Sequence, residues 1–168
     1  MSTTWNRLKL LGIWILPGIV FLIIDQYLKW LAVKFLGAQQ IYFGKSLFGA
    51  TLELHENPGS FLSLGAQFGE STRNVIFVVG VSIILMVIAI IWYRGIEQRR
   101  PQSIMLFLVL LGGTGNLIDR IINSGRVIDY IFLNFFSLNT GVFNLADVAI
   151  TIGVTGLLLG PWISKRAS

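Results

Sequence analysis

The chain has no cysteine, one histidine in 168 residues and only 12% charged side chains. Without cysteine there are no disulfides, no thiolate zinc sites and no thiol nucleophile. The lone histidine, His55, stands among scattered glutamates and makes a poor metal site, so no metal and no other cofactor is expected and His55 is given no catalytic role. Aspartate is scarce too, with four in all: Asp25, Asp119, Asp129 and Asp147.

What the chain has instead is apolar length. Hydrophobic residues make up 54% of it, more than a soluble domain of this size needs for its core. Four stretches, at about 10–31, 75–93, 104–122 and 143–163, are long enough to cross roughly 30 Å of hydrocarbon at about 1.5 Å per residue. Backbone without water must satisfy itself within a helix, so all four read as helices. The first lacks a small-residue cleavage site and carries Asp25 and Lys29 at its end, so it is expected to be retained rather than removed as a signal. The expected fold is a mainly α membrane protein, one integral domain over 1–168, with four transmembrane helices. A small extracytoplasmic β element is expected in the outer segment, about 35–74. There Ala50-Thr51-Leu52-Glu53-Leu54-His55 alternates as a strand does and Asn57-Pro58-Gly59 signals a turn. The strand reading covers 41–66.

The formal charge of +5 is what membrane topology requires, and no nucleic-acid partner is needed to explain it. Placing both termini and the 94–102 loop in the cytoplasm puts Arg7, Lys9, Arg94, Arg99, Arg100, Lys165 and Arg166 inside, in short segments beside helix ends. Lys29, Lys34, Lys45, Arg73, Arg120 and Arg126 then spread over longer outer loops. In an antiparallel four-helix arrangement Asp25, Asp119 and Asp147 lie at ends of helices 1, 3 and 4, and Asp129 lies in the short connection between helices 3 and 4. All four aspartates therefore converge on one membrane face, the outer one.

A carboxylate costs roughly 2.5–3.5 kcal/mol at the centre of a membrane helix, so such residues are usually functional. In Gly112-Gly113-Thr114-Gly115-Asn116-Leu117-Ile118-Asp119-Arg120, residues 112, 116, 119 and 120 share a helix face; glycine-mediated packing, with Asp119 and Arg120 snorkelling to the interface, explains the stripe as well as a binding site does. In Phe143-Asn144-Leu145-Ala146-Asp147, Asn144 and Asp147 have the spacing of a capping box, and Thr151 shares their face. Asp25 and Lys29 are set for a helical ion pair, and mutual neutralisation near the membrane surface accounts for them. Asp129 alone reads as a solvated loop aspartate. Brought close to Asp147 it becomes something else: two adjacent carboxylates do not both ionise easily, one keeps a proton, and the pair becomes an acid and a base.

Five motifs in one order, Asp25-Gln26-Tyr27-Leu28-Lys29, Asn57-Pro58-Gly59, Gly115-Asn116-Leu117-Ile118-Asp119-Arg120, Val127-Ile128-Asp129-Tyr130 and Phe143-Asn144-Leu145-Ala146-Asp147, resemble the bacterial lipoprotein signal peptidase family, signal peptidase II, over about 20–155. The resemblance implies an intramembrane aspartic endopeptidase of the bacterial inner membrane, working near the outer face. It would remove signal peptides from prolipoproteins just before a cysteine that carries diacylglycerol. It implies Asp129 and Asp147 as the catalytic dyad. Asn57, Gly59, Asn116, Arg120 and Asn144 would line the substrate groove, with Asp25, Lys29 and Asp119 in support. Its implied partners are the diacylglyceryl-modified prolipoprotein, membrane lipid and an inhibitor of the globomycin type, and the chain is expected to act as a monomer. One departure is visible: Asn57-Pro58-Gly59-Ser60-Phe61-Leu62 carries its aromatic one position earlier than the family pattern, which in a strand would turn Phe61 to the opposite face. The outer segment 37–72 is a candidate cover over the site.

Two other classes compete. A proton- or cation-coupled transporter would show acidic groups at mid-depth and repeat symmetry, and neither is visible. A non-enzymatic assembly protein would use the same polar stripes only to join helices and would tolerate Asp129→Asn.

Overall fold

A computed structural model of the chain describes residues 2–37, 39–45, 48–59, 70–98, 100–136 and 138–166. In chain order the elements are α1 (Ser2–Phe35), β1 (Ile41–Lys45), β2 (Phe48–Asn57), α2 (Glu70–Glu97), α3 (Gln102–Ile122), β3 (Val127–Phe135), β4 (Leu138–Asn139) and α4 (Leu145–Arg166). Phe61, and with it the end of the 41–66 strand reading and the middle of the candidate cover, lies outside the described residues.

Segments within α1 (Leu11–Phe35) and α2 (Asn74–Ile96), and the whole of α3, are long and apolar enough to cross a membrane, while the apolar run of α4, Leu145–Gly160, is shorter. α2 is apolar all round and its most apolar stretch is unburied, as a helix solvated by lipid should be. α1 likewise exposes Ile13, Leu16 and Ile23. Each helix begins or ends beyond the apolar stretch read from the sequence, α3 by only two residues, because hydrogen bonding continues past the hydrocarbon boundary.

α3 is the central helix. Its buried face holds Leu111, Gly112, Gly115 and Asp119, and the glycines let α4 approach closely. A Cβ on Gly112 would overlap the Ala146 carbonyl oxygen, and one on Gly153 of α4 would lie 2.6 Å from the Met105 oxygen. Gly112→Leu should therefore wedge α3 from α4 and lower stability by about 1–3 kcal/mol. Unfolding in detergent micelles measures it, and wild-type stability would show that the helices have room to spare.

The sheet is larger than the sequence led us to expect. It is antiparallel in the order β1-β2-β3-β4, and β3 is the segment read as a mere connection. Val127, Ile128, Asp129 and Tyr130 are all buried, so β3 shows no alternation of apolar and polar residues to announce it. Its β-branched and aromatic content is the signal that remains. Ile128 and Tyr130 pack on Ala32 of α1 and on Leu36 just past its end, tying sheet to helix.

Two turns deliver β3 and α4 to their places. After α3 the chain reverses through Ser124 (φ 52°) and Gly125 (φ 87°), with Gly125 N–H donating to the Arg120 carbonyl at 2.7 Å. Asn74 of α2 donates to the Ser124 carbonyl at 2.6 Å, and its side chain occupies the space a Cβ on Gly125 would need. Before α4, Phe143 exchanges two 2.8 Å hydrogen bonds with Ile131 of β3. That bridge holds Phe143 extended, so α4 starts at Leu145 rather than at 143.

Candidate active site

Asp25 and Lys29 are one helical turn apart on α1, and their ion pair forms at 2.9 Å. It does not lie at a wet surface: Asp25 is 0% and Lys29 3% exposed. Lys29 reaches a second carboxylate, Asp119 of α3, at 3.0 Å. Asp119 is also buried and does not snorkel; its Oδ2 accepts from the Ile128 N–H of β3 at 3.0 Å. Asp25 Oδ1 accepts from the Ala146 N–H at 3.1 Å, at the start of α4 where that donor lacks a helical partner. Gln26, to which the sequence reading gave no role, donates Nε2 to Asp25 Oδ2 (3.2 Å), Asp119 Oδ1 (3.0 Å) and the Gly115 carbonyl (3.2 Å). Its place inside the Asp25-to-Lys29 motif was the available signal.

The third proton of Lys29 goes to Asn116 Oδ1 at 3.1 Å. An amide whose oxygen faces an ammonium must turn its nitrogen the other way. Asn116 Nδ2 accordingly donates to Asp147 Oδ1 at 2.7 Å. Asn144, fully buried, is the second bridge. Its Nδ2 lies 2.6 Å from Asp129 Oδ1 and 3.1 Å from Asn116 Oδ1, and its backbone N–H donates to Asp147 Oδ2 at 3.1 Å. The expected capping box is present in full, since Asp147 N–H donates in return to Asn144 Oδ1 at 2.9 Å. One asparagine thus touches both Asp129 and Asp147.

From the sheet, Asn57 Nδ2 donates to Asp129 Oδ2 at 3.0 Å, and its own Oδ1 accepts from Gly59 N–H at 2.9 Å. Gly59 has φ +75°, and a Cβ there would lie 2.8 Å from Arg120 Nη1, so only glycine lets this turn rest on the guanidinium. Arg120 is anchored by a 2.8 Å bond to the Gly125 carbonyl and lies over the Phe77 ring at 5.6 Å. All ten residues singled out from the sequence fall within this one connected constellation. Thr151, a turn along α4, donates to the Asp147 carbonyl at 2.8 Å.

Asp147 faces a cavity of about 410 Å³ lined also by Thr140, Gly141, Phe143, Thr151 and Ile152. A second, almost wholly apolar cavity of about 470 Å³ lies around the other side of α4, between Leu28, Leu36, Leu52, Tyr130 and Leu145, and the two share Val148.

Asp129 is not the solvated loop aspartate its sequence context allows. It is 1% exposed, and burial raises its carboxyl pKa to about 6. The charge of Asp147 adds to the rise, while the Asn57 and Asn144 hydrogen bonds and the charge of His55 oppose it. Four carboxylates here face two fixed cations, Lys29 and Arg120, so the balance favours a retained proton. The arrangement offers an acid and a base side by side. Among the described residues no three His, Cys, Asp or Glu side chains are grouped to hold a metal ion.

Comparison with known proteins gives a consistent picture. The family described as signal peptidase (SPase) II matches residues 18–163. The chain is 33% identical over 149 residues to a lipoprotein signal peptidase of Brevibacillus brevis, covering 88% of this chain and 93% of that one. A lipoprotein signal peptidase of Borrelia hermsii is 31% identical over 155 residues, covering 89% of each. Among solved structures, a bacterial membrane enzyme determined by the in meso method at 1.9 Å superposes with a TM-score of 0.67 at 26% identity, covering 89% of this chain and 92% of that one.

Proposed function

The chain belongs to the signal peptidase II family, and from that premise we propose that it is an aspartic endopeptidase releasing signal peptides from diacylglyceryl-modified prolipoproteins. The observation that carries the reading is the Asn144 bridge, which holds Asp129 at 2.6 Å through its side chain and Asp147 at 3.1 Å through its backbone. In this mechanism the pair shares one proton. The ionised carboxyl takes a proton from water as it attacks the scissile carbonyl; the protonated one donates to the developing oxyanion and then to the leaving amine. The pair titrates as a unit, with the proton resident mainly on Asp129, the buried member.

The four helices are read as four antiparallel spans in a bacterial cytoplasmic membrane, with both termini cytoplasmic and the dyad near the outer face. The cavity beside Asp147 opens among apolar and small residues. That suits a substrate kept in the lipid by its acyl chains while water arrives from outside. Cleavage is placed just before the lipidated cysteine, the working unit is a monomer, and a globomycin-type peptide would compete for the groove.

The experiment is signal-peptide release by the purified protein, with the diacylglyceryl-modified prolipoprotein beside its unmodified precursor. Release should be confined to the modified substrate. Equal release from both would remove the lipid from the recognition scheme, and none from either would refute the peptidase reading and turn attention to ion flux in liposomes.

A further inference from the structure

His55 of β2 stands directly opposite Asp129 of β3 in the sheet register. Residues opposed across an antiparallel pair carry their side chains on the same face, with Cβ atoms roughly 4.5–5.5 Å apart. Asn57, two residues along β2 and so on that same face, reaches Asp129 at 3.0 Å. His55 is exposed where Asp129 is buried, so it stands on the solvent side of the carboxyl. It is also the chain's one histidine, the side chain type whose ordinary titration spans the neutral range.

Resting on the aspartic peptidase reading above, we infer that His55 is an electrostatic positioning residue, whose protonated imidazole opposes proton uptake at Asp129 and so sets the pH range over which the pair holds a single proton. The other charges facing Asp129 are Arg120 from α3, which acts in the same direction, and Asp147 from α4, which acts against it. Asp119 of α3 and Asp25 of α1 are farther back and matched to Lys29. Around His55 itself, Glu56 is paired with Arg126 at 2.9 Å, and Glu53 accepts from Gln40 at 2.7 Å. Of the groups facing Asp129, arginine carries a fixed charge, whereas an imidazole is the side chain type whose charge changes nearest neutrality.

The sign is fixed by charge. A cationic imidazole facing the Asp129 carboxyl disfavours proton uptake there, so the two compete. Removing the imidazole lets Asp129 keep its proton to higher pH, which moves the alkaline limb of the activity profile upward. A permanent cation in its place moves that limb down.

The test uses the full-length protein in micelles, as wild type, His55→Gln and His55→Lys. Asp carboxyl groups labelled with ¹³C are followed by NMR against pH; the chain has only four, and Asp129→Asn assigns the relevant resonance. The pH profile of peptide release is recorded on the same samples. His55→Gln should raise the Asp129 midpoint by about half a pH unit in about 0.1 M salt, and the shift should shrink in about 1 M salt, where the screening length falls to about 3 Å. His55→Lys should hold the midpoint at or below that of wild type. Midpoints that coincide in wild type and His55→Gln would overturn the inference, as would a shift that persists undiminished in high salt, because a packing effect is not screened. Should the wild type release no peptide, the peptidase reading fails, while the carboxyl titration still decides the role of His55.

Discussion

Asp129→Asn and Asp147→Asn should each cut signal-peptide release by about 10³-fold or more while leaving the helical content unchanged. A positioned acid or base contributes roughly 10²–10⁴-fold, and in the proposed mechanism one carboxyl activates the attacking water while the other protonates the leaving group. The two losses should not multiply in the double variant, because either substitution alone removes the shared proton. Asp147→Asn also places an amide against the Asn116 Nδ2 and Asn144 N–H donors, so Asp147→Glu is a useful companion that keeps the charge and moves it. Single-turnover release with circular dichroism on the same samples decides the matter. Activity within tenfold of wild type in either asparagine variant would leave the pair without its role.

Lys29→Met should cost about 3–5 kcal/mol of stability, the usual result of stripping one partner from a buried ion cluster. Methionine fits the space but abandons Asp25 and Asp119, whose solvent exposures are 0% and 2%. It also frees Asn116 Oδ1 of its ammonium donor, so the amide that presents Nδ2 to Asp147 loses its reason to point that way. Release should therefore fall further than the folded fraction does. Adding Asp119→Asn should recover part of the stability, since it removes one of the two abandoned charges. Reversible unfolding in micelles across the single and double variants measures the coupling. A Lys29→Met protein that unfolds with the wild type would mean the cluster is not held by its lysine.

Much of this was legible in the chain because hydrocarbon leaves little choice. The apolar runs could only be helices, and the spacing of Asn144 and Asp147 announced a cap that forms as expected. The stripe from Gly112 to Arg120 was correctly seen as one face, yet packing and polar bonding proved inseparable there: Gly112 admits α4, and Asn116, one turn on, then reaches Asp147. Strand β3 was hidden because its first four residues are buried on both sides. Asp25 with Lys29 looked like surface neutralisation because an i, i+4 pair says nothing of what packs above it; Asp119 and the Ala146 N–H arrive from sequence separations of about ninety and more. The opposition of His55 to Asp129 depends on a register that shifts between Leu52 and His55, and an irregularity of that kind leaves no mark in the order of residues.

The Ala146 N–H that caps Asp25 has a consequence for the order in which the molecule comes into being. As the chain leaves the ribosome, α1 and α3 are made first, and Lys29 can join Asp25 to Asp119 as soon as both are inserted. One oxygen of Asp25 must then wait for a residue 121 positions downstream. Asp147 arrives on the same stretch, next to that donor. On the proposed reading, a nascent chain therefore carries no acid–base pair until the start of α4 is seated, and the seating that completes the buried charge cluster is also the event that assembles the site.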